Sequence, residues 1–276
     1  MILVTGATGN VGRQVVNQLL DAGEKVRAIS RDPARAGLPA EVEVLRADLG
    51  EPDTLPAALR GVDRAYLFPV SGRLDGFLAA ARDARLDRIV LLSSLAVTFD
   101  PLDPIGQAHA GCERAVADSG LPWTFVRPGA FMANDLAWAP AIRAGDVVRG
   151  PYGDAATAPI DERDIAAVAV RALLDEGHAG RAYELSGPES LTTVDRVRLI
   201  GEAIGRDLRF EEQAPEEARR QMAGYGVPPA IVDALLAMFA SAVGTTAPVL
   251  PAVEEVTSRP PYRYARWVER HAADFR

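Results

Sequence analysis

Residues Met1–Gly12 read MILVTGATGNVG: an apolar run, Ile2-Leu3-Val4, passes directly into a turn in which Gly6, Gly9 and Gly12 recur at every third position. The residues that follow, Arg13 to Ala22, place Val15, Val16, Leu19 and Leu20 at helical spacing. A strand, a glycine turn and a helix are how a chain offers backbone N–H groups and a helix N-terminus to a pyrophosphate. A side chain at Gly6 or Gly9 would hold the backbone away from the phosphates. Glycine spacing alone is weak evidence, but here a strand precedes it and the next strand follows on schedule. Thr8, Asn10 and Val11 complete the expected phosphate-binding set with the three glycines.

Outward from this stretch, strand-like and helix-like runs alternate, the pattern of a parallel α/β sheet. Strands are expected at Ile2–Val4, Lys25–Ile29, Val42–Arg46, Arg64–Phe68, Arg88–Leu92, Trp123–Val126 and Arg181–Leu185. Helices are expected at Arg13–Ala22, Asp53–Leu59, Leu74–Ala84, Ile105–Ser119 and Asp164–Asp175. The fold class is therefore a Rossmann-type, doubly wound parallel sheet over residues 1–130, with a later strand at 181–186 returning to it. From 131 to 276 the pattern loosens around Gly145, Gly150, Pro151, Gly153 and Pro159 and becomes mostly helical (Val194–Ile204, Pro215–Met222, Pro228–Ala242). This smaller portion is expected on the substrate side of the sheet.

Composition narrows the function classes. A net charge of −8 opposes binding to nucleic acid or to an anionic membrane. No segment approaches the length of a membrane span. With a strand starting at Ile2 there is no room for a signal peptide, so a cytoplasmic location is expected. Cys112 is the single cysteine, and His109, His178 and His271 lie far apart, so no metal site is expected. Among thirty basic residues the sole lysine is Lys25.

The second strand ends at Ser30-Arg31-Asp32-Pro33-Ala34-Arg35. An NAD site usually places an acid here for the ribose 2′-hydroxyl, whereas a guanidinium suits a 2′-phosphate. Arg31, with Arg35 as a second clamp and Ser30 at the strand end, favours NADP(H) over NAD(H). Asp32 stands at the spacing of an NAD-type acid, but before Pro33 it reads better as a turn or helix cap. At the end of the third strand, Asp48 with Leu49 borders the expected adenine pocket; Asp48 either accepts from the adenine amino group or caps the helix near Asp53. Phe68 and Pro69 would flank the cofactor. Ser93 and Ser94 would lie near the nicotinamide or serve as strand-end turn residues.

GATGNVG, SRDP, ADL, LLSS and GLPWTFVRPGAFMAN together resemble the atypical short-chain dehydrogenase/reductase proteins of the NmrA-like type, over roughly the first 190 residues. The resemblance implies NAD(P)(H) binding on a Rossmann domain and, among members, NADPH-dependent quinone reductases and redox-sensing regulators. Conventional superfamily members carry Tyr-x-x-x-Lys on the helix after the fifth strand. Matching Glu113 to the glutamate that often follows this pair puts His109 in the lysine slot and Ile105 in the tyrosine slot. His109 is thus the candidate catalytic or ribose-facing residue, with Glu113, four residues on, orienting it; an ion pair on the helix surface is the alternative. By the same resemblance Pro128, Gly129 and Phe131 border the nicotinamide. Phe131, Met132 and Trp138 wall an apolar substrate pocket or pack in the core, and Tyr152 is the nearest remaining hydroxyl.

A positioned acid contributes roughly 10²–10⁴-fold, and a simple ketone needs one because its alkoxide must be protonated. A quinone or conjugated enone delocalises the charge of its hydride adduct and takes its proton from water. The sequence therefore points to hydride transfer to a quinone-like or conjugated small molecule. The alternative is a non-catalytic NADP(H) redox sensor that docks a protein partner. Nucleotide-sugar epimerase chemistry ranks last, since it depends on the missing tyrosine.

Overall fold

Strong β-formers at Ile2–Val4 form β1, an interior strand of the sheet beside the central one. The computed structural model describes residues 1–276 and places six further strands around it: β2 (Val26–Ser30), β3 (Glu43–Arg46), β4 (Arg64–Leu67), β5 (Arg88–Leu92), β6 (Trp123–Pro128) and β9 (Arg181–Leu185). Their order is β3-β2-β1-β4-β5-β6-β9, and every pairing is parallel.

The period-2 alternation of the strands divides the core into two layers. Ile2, Val4, Tyr66, Val90, Leu92 and Val126 face α1 (Asn10–Asp21), α6 (Glu162–Leu174) and α10 (Ala252–Thr257). Leu3, Ala65, Leu67, Ile89, Leu91 and Phe125 face α2 (Leu55–Ala58), α3 (Asp75–Asp83) and α4 (Pro104–Asp118). Helix α6 packs along α1 and is buried over most of its length. It thus belongs to the sheet layers although it lies beyond residue 130.

A separate core holds the rest together: α5 (Ala139–Ala144), β7 (Val147–Gly150), α7 (Thr193–Ile204) and α11 (Tyr264–Phe275) close around Met132, Ile142, Ile200 and Trp267. Two short pairings that the sequence did not announce lie here. The strand β8 (Ala156–Thr157) runs antiparallel to β10 (Leu191–Thr192), and β7 runs parallel to β11 (Arg209–Glu212). Helices α8 (Pro215–Gly224) and α9 (Pro229–Ala242) form a hairpin with its own small apolar cluster. The helix expected at Asp53–Leu59 shrinks to one turn, because Pro52 and Pro56 confine the segment to a 3₁₀ turn followed by α2.

From β1 the chain turns first to β2 and β3 and later, through β4, to the other side. This reversal opens a crevice at the carboxyl ends of β1 and β4. Lys25 lies just before β2, at the opposite edge of the sheet.

Candidate cofactor and active site

The glycine turn occupies the middle of this crevice. Gly6 has φ of +61°, and a Cβ there would come within 2.9 Å of Phe68 Cβ. Gly12 is needed for packing: a Cβ would lie 2.1 Å from the Gly6 carbonyl oxygen. Val11 is buried in the core beneath the turn, so only its backbone faces the phosphate position. Gly9 is the N-cap of α1, and no side chain caps that terminus. Its first N–H groups and the helix dipole are thus available to an anion.

One cavity borders the turn, and a second adjoins it through Phe68, which lines both. The first, about 560 Å³, is lined by Thr5, Gly6, Thr8, Ser30, Arg31, Asp32, Arg35, Asp48, Leu49 and Arg73 among others. The structure brings Ser30, Arg31, Arg35, Asp48 and Leu49 together here. Ser30 Oγ accepts from Asp32 N at 3.1 Å, and Asp48 Oδ1 accepts from Gly50 N at 2.8 Å. Asp48 is therefore a turn residue at the cavity wall and does not cap the helix near Asp53, while the Asp32 carboxylate caps nothing and stands exposed at the wall. Thr5, whose hydroxyl accepts from Phe68 N at 2.7 Å, and Arg73 are additions that no motif marked.

The second cavity, about 380 Å³, is lined by Phe68, Pro69, Leu92, Ser93, Ser94, His109, Pro128, Gly129, Phe131 and Asn134. Eight expected residues from four segments converge in it: Phe68, Pro69, Ser93, Ser94, His109, Pro128, Gly129 and Phe131. None of the six tyrosines lines either cavity.

Three expectations for the substrate side are corrected. The segment after Phe131 forms a 3₁₀ helix, Met132–Trp138, which turns Met132 fully into the third core. Trp138 packs beside that core with the Arg196 guanidinium 5.1 Å from its ring centre. Asn134 faces the cavity instead. Tyr152, at φ of +58°, lies against the α8–α9 cluster, with its N–H donated to Glu212 Oε1 at 2.5 Å.

Glu113 does not orient His109. Its buried carboxylate is held in a fork by Arg127, which donates from Nε at 2.9 Å and from Nη2 at 2.7 Å. The same carboxylate accepts from Ser93 Oγ at 2.6 Å. The spacing of four residues was read as a pair, but sheet packing turns Glu113 under the strands, where Arg127 reaches it first. His109 Nδ1 is buried without a partner. Burial lowers the His109 pKa, against the opposing fields of Glu113 and Asp103, so the ring is neutral at pH 7. Ser94 Oγ accepts from Ala96 N at 3.2 Å and caps a 3₁₀ turn.

An uncapped helix N-terminus, a glycine-rich turn and guanidinium groups at one end of a two-chambered crevice fit a phosphorylated dinucleotide. These features define an NAD(P)H-binding Rossmann protein, and the sequence matches the NAD(P)H-binding family over residues 6–176. The chain belongs to the NmrA-like atypical short-chain dehydrogenase/reductases of that family.

Among its relatives, (4-alkanoyl-5-oxo-2,5-dihydrofuran-3-yl)methyl phosphate reductase of Streptomyces griseus is 45% identical, with 100% of this chain and 99% of the relative aligned. The NAD(P)H azoreductase of Xenophilus azovorans is 38% identical, with 100% and 99% aligned. An NADPH-dependent quinone oxidoreductase from Escherichia coli, solved also with NADPH, superposes with a TM-score of 0.82 at 29% identity, covering 98% of this chain and 99% of that one. No helix here is long and apolar enough to cross a membrane.

Proposed function

We propose that this protein is an NADPH-dependent reductase that delivers hydride to a conjugated, electron-poor small molecule. The observation that carries the reading is the second cavity. Its lining holds no tyrosine, lysine or carboxylate, and its one titratable side chain, His109, is kept neutral. Such a site orients two planar partners but has no strong acid for a nascent alkoxide. An acceptor whose hydride adduct is delocalised needs none. The quinone, the azo bond and the doubly carbonyl-conjugated ring named for the relatives share this property.

Within this reading, Thr8 and the N–H groups of Asn10, Val11 and Gly12 hold the pyrophosphate, and Gly9, whose own N–H is donated to Gly6 O at 3.0 Å, lets it approach. Arg31 and Arg35 bind the 2′-phosphate, which is why NADPH is preferred to NADH. Asp48 and Leu49 border the adenine. NADPH, when bound, supplies the hydride. Phe68, Pro69, Pro128, Gly129 and Phe131 exclude water around the reacting ring, and His109 contacts the adjoining ribose or the acceptor.

NADPH oxidation measured against a panel of quinones, acyl-butenolides and azo compounds tests the reading, with simple aliphatic ketones as controls. Turnover of at least one conjugated class and none of the ketones is expected. Tight NADPH binding with no turnover across the panel would overturn it in favour of the cofactor-sensing role.

A further inference from the structure

The hydrogen bonds beneath the second cavity have a fixed direction. The Glu113 carboxylate only accepts, and Arg127 only donates. Arg127 occupies it from Nε and Nη2, while Nη1 lies 3.8 Å from Glu184. The remaining bond to Glu113 comes from Ser93, so the Ser93 hydroxyl proton is committed to it at 2.6 Å. Ser93 is 3% exposed, and its N–H is committed to Val126 O at 2.7 Å. What Ser93 presents to the cavity is therefore a pair of oxygen lone pairs and no proton.

We infer that Ser93 Oγ is an acceptor-only site for an N–H donor, and that this donor is the carboxamide of the nicotinamide. The inference rests on the cofactor orientation proposed above, which puts the nicotinamide in the cavity remote from Arg31 and Arg35. The carboxamide is the one N–H donor of that ring when bound. Glu113 acts through Ser93 and is a positioning residue: with Arg127 it fixes which way the hydroxyl points. Ser93, directly after β5, and Arg127 on β6 are thereby tied to the same buried carboxylate of α4.

The test compares binding of NADPH with that of its 3-acetylpyridine analogue, in which a methyl replaces the carboxamide nitrogen, by calorimetry without acceptor. A neutral hydrogen bond to this nitrogen is worth about tenfold in affinity. Wild type is expected to prefer NADPH by about that factor. S93A removes the preference and S93T retains it; E113A reduces it, because the hydroxyl proton is then free to turn towards the cavity, and E113Q, whose amide oxygen still accepts from Ser93 and from Arg127 Nε, keeps most of it. Binding of the nucleotide fragment lacking nicotinamide is expected to stay within twofold in all variants, which a general loosening of the site would not allow. Should E113A fail to fold, the S93A and S93T pair decides. An unchanged preference in S93A overturns the inference and leaves the proposed function standing; absence of NADPH binding to wild type overturns both.

Discussion

The two ends of the crevice are built on opposite principles. At one end Arg31, Arg35 and Arg73 stand on exposed turns, each a long, hydrated arm around a roomy cavity. At the other, an uncharged lining rests on a buried carboxylate that joins β5, β6 and α4. A phosphate group can be held by mobile guanidinium groups, since attraction tolerates small displacements. A reacting ring needs its neighbours fixed before it arrives, because misplacement of about 1 Å costs roughly 10²-fold. The contrast suggests that affinity and selectivity reside at the first end and orientation at the second, with Phe68, packed against the glycine turn, joining the two.

The largest effect should come from breaking the glycine turn itself. G12V places a side chain 2.1 Å or less from where the Gly6 carbonyl sits. Helix α1 must then separate from the turn, so soluble expression or binding of every nucleotide is expected to be lost. G9A, whose Cβ would lie 3.4 Å from the same oxygen, should fold with an unchanged melting temperature and weakened NADPH binding. Equal melting curves for wild type and G12V would show that the turn does not need this contact.

Next in size is a test of the buried end. R127M leaves the Glu113 carboxylate in place without its fork, and breaking such a pair typically costs about 3–5 kcal/mol. R31M at the exposed end should change stability by less than about 0.5 kcal/mol. Urea denaturation of both variants measures the difference directly. Similar values would mean that the second cavity is no more rigidly founded than the first.

Binding should reverse that ranking. On the proposed reading R31A removes a charge-assisted contact to the 2′-phosphate, worth about 1.5–3 kcal/mol, so NADPH affinity is expected to fall about tenfold or more. NADH affinity should move less than twofold. Calorimetry with both nucleotides decides, and equal losses would remove Arg31 from cofactor selection and return attention to Asp32.

The same contrast explains what could be read in the sequence. The first end was legible almost residue by residue, because backbone chemistry at a glycine turn and a strand end is local: Gly6, Ser30, Arg31, Arg35 and Asp48 all lie within a few residues of a recognisable signal. The central sheet was legible for a related reason, its strands being short apolar runs between turn residues. The second end depends on what tertiary packing brings together. Glu113 and His109 share helical spacing, yet Arg127 and Ser93, fourteen and twenty residues away from Glu113, take the carboxylate. Met132 and Trp138 are apolar residues beside a site, and nothing in their order distinguished a cavity wall from the core. Arg73 and Asn134 carry no motif, and the β7–β11 and β8–β10 pairs are too short to leave a periodic trace.

The smallest effect expected is also the one that probes the second end without mutation of its foundation. His109 titrates below its ordinary 6.5 because burial disfavours the imidazolium. With the folded pKa below the unfolded one, its contribution to stability is full above pH 6.5. That contribution declines as pH falls towards the folded value, where the unfolded chain takes up a proton that the native ring still refuses. Chemical denaturation between pH 7 and 5 should show this loss in wild type and a shallower one in H109Q. In the same range, kcat/KM for a conjugated acceptor should show no inflection at 6.5, since a neutral ring is already in its working form. An inflection there that H109Q abolishes would mean that His109 is solvated and protonated like a surface residue. The second end would then be as loosely built as the first, and the distinction between a binding end and an orienting end would fail at His109.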